Sequence, residues 1–219
     1  NTPERVFDGG DGYAEIDPSK RQLRAMHPHR HSAKAMDWFT HPEVAAALET
    51  LLGKPALGAQ TMYYYKPPGG AAQGMHQDNF YLMAQPATCI AAWTAIDDAD
   101  PENGCLMVMP GTHQIEVQCP DDTVEAEDAE KWRRHGRIRV QDLPGRFKAI
   151  PVPVKRGQTL FFGGNLIHGS TRNKSKTRSR RTFIGHYVDK ATEKLSRFYH
   201  PVIDMDGDTV SRIEHAAAG

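Results

Sequence analysis

Three side chains that are far apart in the sequence could together bind a metal ion. Two of them, His76 and Asp78, lie two residues apart in segment 74–79. In a β-strand, residues i and i+2 point to the same side, so a strand here would aim an imidazole and a carboxylate into the same space. A His-x-Asp triplet also occurs by chance as an ordinary polar pair at a strand end, so the pair indicates a site only together with a third ligand.

His168 is the candidate for that third ligand. It follows an apolar strand candidate, and the glycines around it leave room for another group to approach the backbone. Two histidines and one carboxylate, with the other coordination positions open, form the facial triad of non-haem Fe(II) oxygenases. The open positions accept a cosubstrate and O2, whereas an enclosed structural zinc site takes four ligands and usually includes cysteine.

A basic segment, 174–181, lies close to His168 and runs into a strand candidate at 182–188. An arginine at the start of that strand could reach into the protein, where its planar guanidinium would bind a small dicarboxylate through two charge-assisted hydrogen bonds. Strand alternation puts Arg180 and Arg181 on opposite faces, and periodicity alone does not say which face is inside. A basic run is also typical of a solvated loop or, less often, of a nucleic-acid patch.

Composition limits the classes of partner. The chain has 219 residues, with 27 Lys plus Arg and 27 Asp plus Glu, so its formal net charge is zero. This length suits one domain with a sizeable core. The neutral balance argues against nucleic-acid and anionic-membrane partners, and no apolar run reaches the roughly 18 residues of a membrane span. The three cysteines form no Cys-x-x-Cys pair, which fits a cytoplasmic location.

The elements that must position these side chains are mostly short strands. One helix is evident: Thr40 is its predicted N-cap, Glu43 completes a capping box, and Gly53 ends the helix. Its predicted apolar face consists of Val44, Leu48, Leu51 and Leu52.

Short β-like runs separated by Gly and Pro follow the helix, which predicts an all-β sandwich or barrel with helical decoration. The acidic and then basic segment 121–134 interrupts this pattern and is predicted to be an insertion, either a solvated excursion or a mobile lid. The strand candidates are 57–65, 88–96, 105–109, 147–154, 158–162 and 182–188.

Four motifs follow one another along residues 36–190: Tyr-Lys-Pro with His-Gln-Asp at 65–78, Ala-Trp-Thr-Ala-Ile-Asp at 92–97, Glu-Asn-Gly-Cys-Leu with Pro-Gly-Thr-His at 102–113, and Gly, Leu and His-Gly-Ser at 157–170. In this order and spacing they resemble the phytanoyl-CoA dioxygenase family of Fe(II)- and 2-oxoglutarate-dependent oxygenases. The resemblance implies a mainly β fold: a double-stranded β-helix (jelly-roll, cupin-like) core with flanking α-helices. Together with the length and the charged insertion, this predicts a single domain over 1–219, with its core at about 36–190 and an insertion or lid at 120–146.

The resemblance also implies roles for individual side chains. His76, Asp78 and His168 would hold the iron. The family's 2-oxoglutarate arginine lies seven residues before an aromatic residue near the end of the last core strand, and counting back from Tyr187 gives Arg180. Other cosubstrate contacts would come from Ser170, Trp93 and Gln60, and substrate contacts from Tyr64, Asn79 and His186.

The resemblance predicts an enzyme that uses Fe(II), 2-oxoglutarate and O2 to oxidise an unactivated C–H bond, with release of succinate and CO2. Polar and aromatic candidates beside the metal, such as Tyr64 and Asn79, favour a small polar metabolite of a biosynthetic pathway over an acyl chain. Two alternatives stay open: a cupin-like metal enzyme that does not use 2-oxoglutarate, and a non-catalytic binding module that kept the fold. Three intact metal ligands argue against the second. The oligomeric state is not predicted.

Overall fold

Thirteen short strands carry most of the regular structure in the residues that the computed structural model describes, which are 23–117 and 145–216. All six predicted runs contain a strand, although several strands are shorter than predicted. They are β1 (Leu23–Met26), β2 (Ala56–Lys66), β3 (Gln73–His76), β4 (Ile90–Ala95), β5 (Leu106–Val108), β6 (Ile150–Val152), β7 (Thr159–Gly163), β8 (His168–Ser170), β9 (Arg180–Asp189), β10 (Lys194–Leu195), β11 (Val202–Ile203), β12 (Thr209–Val210) and β13 (Glu214–His215).

Two antiparallel sheets form the jelly roll. The larger sheet has the order β12-β11-β2-β9-β4-β7, with β1 added beside β2, and the smaller sheet has the order β3-β8-β5-β6. The longest pairing joins β2 to β9 over almost their whole length. The predicted fold, a mainly β jelly-roll core with flanking helices, is confirmed.

A hydrophobic core runs along the inner face of the larger sheet. Side chains on a strand alternate between faces, and β2, β9 and β4 all contribute buried apolar groups to this core. Its larger members include Met62, Tyr64, Trp93, Leu106, Phe162 and Ile184. Because His186 and Arg180 are two and four residues from Ile184 on the same strand, they share its inner face.

Helices cover the outer face of the larger sheet. Phe39 and Leu48 pack there against Tyr187, whose hydroxyl donates a hydrogen bond of 2.7 Å to the Phe39 carbonyl. These are α1 (Ala33–Phe39) and α2 (Pro42–Leu52), whereas the third described α-helix, α3 (Asp78–Leu82), directly follows β3. None of the described helices has the length and apolar character that a bilayer crossing requires.

The predicted helix start at Thr40 is wrong. Thr40 ends α1 instead, where its amide donates to the Met36 carbonyl, and His41 is the N-cap of α2, where its ring accepts from the Glu43 amide. Pro42 follows in the first turn, a position that does not need its missing N–H. At the other end, Gly53 takes the predicted left-handed conformation, with φ of 70°.

The α2 face also differs from the prediction at one position. Leu48 is fully buried, whereas Leu51 is 56% exposed.

We expect Leu48→Ala to lower the free energy of unfolding by about 2–5 kcal/mol, because it leaves a cavity in the core. The matched change Leu51→Ala should cost less than about 0.5 kcal/mol. Urea unfolding of both variants measures the difference, and equal losses would contradict this orientation of α2.

Candidate metal centre

His76 and His168 lie opposite each other on neighbouring strands. His76 is the last residue of β3 and His168 the first of β8, and the antiparallel register pairs them directly, with ring centroids 4.2 Å apart. Gly169 permits this close approach, since a Cβ at that position would lie 2.8 Å from the Gln73 carbonyl oxygen. Two imidazoles from distant parts of the sequence therefore meet at one end of the smaller sheet.

Asp78 reaches the same place from a helix. Because β3 ends at His76 and α3 begins at Asp78, the predicted strand alternation across these residues is wrong. The turn into α3 nevertheless brings Asp78 Oδ1 to 3.5 Å from His76 Nε2 and 3.7 Å from His168 Nε2. One potential ligand atom from each of the three buried residues lies within 4.8 Å of the others.

Backbone carbonyls orient both imidazoles. His76 Nδ1 lies 2.9 Å from the Gly74 oxygen, and His168 Nδ1 lies 2.9 Å from the Leu166 oxygen. A carbonyl oxygen only accepts, so each ring carries its proton on Nδ1 and presents the lone pair of Nε2 toward Asp78. This is the tautomer that a metal ligand bound through Nε2 requires.

The electrostatics of the group suit a divalent cation. Burial lowers the pKa of His168 to about 4, so this ring is neutral at neutral pH. Burial alone would raise the pKa of Asp78, but the neighbouring His168, His186 and His76 outweigh it and hold that pKa well below its ordinary value. A carboxylate and neutral imidazoles around one point are ligands that ferrous iron accepts.

Two buried cations lie at the ends of the long strands. Arg180 begins β9 and Lys66 ends β2, and the register places them opposite each other. Arg180 Cζ lies 5.5 Å from the centroid of the Trp93 ring, and Arg180 Nε is buried without a hydrogen-bond partner. The neighbouring Arg181 is exposed, so the inner face of β9 carries Arg180.

Lys66 is a candidate that the sequence analysis missed. Its Nζ donates hydrogen bonds of 2.7 Å to Ser170 Oγ and to the Thr171 carbonyl. Burial, followed by the charge of Arg180, lowers the pKa of Lys66 to about 6. Within 23–117 and 145–216, no carboxylate pairs with Lys66 or Arg180. A lysine before two prolines is typical of a turn, and only the pairing of β2 with β9 reveals its position.

The predicted pocket residues on β2 are both buried on the inner face. The Tyr64 hydroxyl accepts a hydrogen bond of 2.9 Å from Arg24 Nη1. The Gln73 amide lies 3.4 Å from the Tyr64 hydroxyl and 3.4 Å from His76 Nε2, which connects Tyr64 to the metal group. Gln60 lies farther along β2, opposite His186 in the register.

The two other predicted substrate contacts have protein partners. Asn79 follows Asp78 on α3, and its amide nitrogen donates 2.7 Å to Asn165 Oδ1, which ties the helix to the loop before β8. His186 Nε2 lies 3.2 Å from Asp78 Oδ2. Apart from 145 and 146, the predicted insertion or lid at 120–146 lies outside the described residues.

The fold and this site define a family. The sequence profile of the phytanoyl-CoA dioxygenase (PhyH) family matches residues 13–182. The chain therefore belongs to that family, and the predicted resemblance is confirmed.

Its similarity to particular relatives is moderate. The chain is 30% identical to the peroxisomal phytanoyl-CoA dioxygenase of Bos taurus in an alignment of 206 residues that covers 92% of this chain and 57% of the relative. It is 32% identical to a probable phytanoyl-CoA dioxygenase of Caenorhabditis elegans in an alignment of 181 residues that covers 79% of this chain and 54% of the relative. The chain thus spans little more than half the length of these relatives.

Solved structures share the fold. The non-haem α-ketoglutarate-dependent epimerase SnoN from nogalamycin biosynthesis superposes with a TM-score of 0.63 at 23% identity, covering 77% of this chain and 63% of SnoN. EctD from S. alaskensis with bound Fe superposes with a TM-score of 0.61 at 21% identity, covering 93% of this chain and 74% of EctD.

The low pKa of Lys66 has a consequence for stability. Its pKa is about 6 when folded, against an ordinary value of 10.5, so between these values the unfolded chain binds more protons and stability rises with pH. We expect Lys66→Met to stabilise the ligand-free protein, most strongly below about pH 6 and progressively less toward pH 10.5. Urea unfolding across this range measures the effect. The exposed Lys54→Met is the control, and a gain for Lys66→Met that does not shrink with pH would contradict the assignment.

Proposed function

We propose that this chain is a non-haem iron dioxygenase that uses 2-oxoglutarate. The observation that carries the proposal is the convergence of His76, Asp78 and His168 on one point next to a buried pair of cations. A facial triad leaves coordination positions open, and cations without a carboxylate partner call for an anion. One site therefore offers places for both a ferrous ion and a dicarboxylate.

His76, Asp78 and His168 would hold the iron. When bound, iron and 2-oxoglutarate supply the oxidising chemistry, and succinate and CO2 are released. The protein keeps both imidazoles in the Nε2-binding tautomer through the Gly74 and Leu166 carbonyls. Asp78 supplies the negative charge that offsets part of the charge of the metal.

Arg180, Lys66 and Ser170 would bind the distal carboxylate of 2-oxoglutarate. The guanidinium of Arg180 offers two parallel N–H donors to a carboxylate, and the Trp93 ring supports it from one side. Lys66 already contacts Ser170 Oγ, so the amine and the hydroxyl act together. A carboxylate next to Lys66 would favour its charged form, and cosubstrate binding would then take up a proton near neutral pH.

The substrate we propose is a small polar metabolite that is oxidised at an unactivated C–H bond. The support is the polar wall beside the metal group, which includes Tyr64, Arg24 and Gln73. The names of the relatives favour a second candidate, an acyl-CoA thioester. Both classes use the same iron and cosubstrate residues, so a direct assay must separate them.

The cupin-like alternative without 2-oxoglutarate is less well supported. It gives no role to Arg180 and Lys66, which are 2% and 0% exposed. Burying a guanidinium and an amine side by side costs free energy unless an anion joins them.

A nucleic-acid role for 174–181 has little support. Arg178 pairs with Asp100 and Glu102, and Arg181 pairs with Asp97. These ion pairs engage two of the basic side chains that a phosphate backbone would need.

We keep the cytoplasmic location as a proposal. Cys89 and Cys105 are free and buried, as in a reducing compartment. Some relatives are named peroxisomal, so the compartment needs its own measurement.

The metal ligands can be tested without a substrate. We expect Asp78→Ala to abolish tight Fe(II) binding and turnover, because it removes the anionic ligand, and His76→Ala to have the same effect. Anaerobic Fe(II) titration measures the binding. Asp98→Ala, an exposed carboxylate that pairs with Lys155, should leave it unchanged. Full turnover by either ligand variant would contradict the site.

The cosubstrate residues can be tested with a matched pair of arginines. Arg180→Ala should raise the KM for 2-oxoglutarate by about 10–150-fold, which corresponds to the roughly 1.5–3 kcal/mol of hydrogen bonds to a charged group. Arg181→Ala should change it little, because that side chain is exposed and pairs with Asp97. The opposite result would assign the anion to the other face of β9.

Substrate-dependent succinate release tests the function itself. The protein is incubated aerobically with Fe(II) and 2-oxoglutarate against a library of polar metabolites and, in parallel, against acyl-CoA thioesters. Succinate that depends on one polar compound supports the proposal, whereas release with acyl-CoA alone supports the second candidate. Failure to bind 2-oxoglutarate would contradict both.

A further inference from the structure

Three histidines surround Asp78, and its two carboxylate oxygens face different ones. Oδ1 lies 3.5 and 3.7 Å from the Nε2 atoms of His76 and His168. Oδ2 instead lies 3.2 Å from Nε2 of His186, a side chain that is 2% exposed. The carboxylate is therefore divided between a pair of potential metal ligands on one side and a single imidazole on the other.

The second ring nitrogen distinguishes His186 from the other two. His76 and His168 both have a backbone carbonyl at Nδ1, which places the proton on Nδ1. Nδ1 of His186 is buried and has no hydrogen-bond partner. A proton there would be a buried donor without an acceptor, and Nε2 would then turn its lone pair toward a carboxylate oxygen. The Nε2–H tautomer avoids both the unpaired buried donor at Nδ1 and the repulsion between the Nε2 lone pair and the carboxylate oxygen.

We propose that His186 is a positioning residue that donates its Nε2–H to Asp78 Oδ2 and thereby keeps Oδ1 directed at the metal. We do not assign it as a fourth ligand, because the potential ligand atoms that lie together are those of His76, Asp78 and His168, and His186 faces the other oxygen of Asp78. This inference rests on the proposed metal site but does not depend on 2-oxoglutarate or on any substrate. It also replaces the predicted substrate role of His186.

The location of His186 suits this role. It lies within β9, paired with Gln60 of β2 on one side and Ala91 of β4 on the other, so its backbone is held from both sides. Asp78 begins the five-residue helix α3 and has no strand partner. The two atoms are 3.2 Å apart, but Oδ2 has no hydrogen-bond partner in this structure, so the bond we propose requires a small reorientation of the carboxylate or the ring. A rigid donor would thus orient a carboxylate that its own short helix holds less firmly.

Two substitutions separate positioning from ligation. His186→Gln places an amide N–H near the position of Nε2, whereas His186→Leu removes the donor at similar size. Co(II), which is stable in air, is the probe, and a competing chromophoric chelator reports its affinity for the protein. The exposed His113→Leu is the control for loss of a histidine.

We expect His186→Leu to weaken Co(II) binding by about 10–100-fold, the usual effect of losing a group that orients a metal ligand. His186→Gln should restore the affinity to within a few-fold of wild type and leave the Co(II) visible spectrum unchanged, and His113→Leu should have no effect. Unchanged affinity in His186→Leu would overturn the proposal. So would a His186→Gln variant with reduced affinity and an altered spectrum, which would indicate a lost ligand.

The tautomer is a separate readout that needs no metal. Nitrogen-15 spectra of the histidine rings in the metal-free protein, with His186 identified by its absence in His186→Gln, should show protonation at Nε2. Protonation at Nδ1 would overturn the proposal even if His186→Leu does not fold. If no succinate is ever formed but the Co(II) and tautomer results hold, the proposed function fails while the role of His186 stands.

Discussion

Charge buried inside the jelly roll is the constraint on which the arrangement of the site depends. The interior holds the carboxylate of Asp78 close to one sheet and the cations of Arg180 and Lys66 at the end of the other. These groups are buried away from bulk water, so neighbouring dipoles, hydroxyls and aromatic faces must stabilise their charge. The Trp93 ring, the Ser170 hydroxyl and the Thr171 carbonyl perform this task for the cations. Each of these groups lies on a strand or directly after one.

Strand pairing converts distant residues into a site of fixed dimensions. The pair β3–β8 sets the separation of His76 and His168, and the pair β2–β9 sets that of Lys66 and Arg180. A slip of one residue in either pair would turn these side chains to the other face. The core between the sheets and the helices outside them stabilise the two registers, so the packing of the whole domain maintains the geometry of a few polar atoms.

Much of the site could be predicted from residue types. His76, Asp78 and His168 could be proposed together because two histidines and a carboxylate match a facial triad, and the family resemblance supported them and selected Arg180 from a basic run. The local structure was less predictable. Asp78 reaches the site from a helix, because a turn after β3 replaces the expected strand. At 39–43, α1 ends and α2 begins within a few residues, and Pro42, which suits the first turn of a helix, puts the N-cap at His41 and not at Thr40. Lys66 and the donor role of His186 depend on contacts across strands that no local pattern encodes.

Lys66, Arg180 and His168 lie on strands that have a neighbour on each side, whereas His76 lies on the edge strand β3 and part of the polar wall comes from β1. Arg24, which contacts the Tyr64 hydroxyl, lies on β1, a short strand whose one partner among the described residues is β2. An edge strand has one neighbour, so its sequence can change without disturbing the registers that hold the reactive groups. Part of the polar rim therefore lies on a strand that can be altered while Lys66, Arg180 and His168 keep their partners, so a change of substrate does not require a change of these residues.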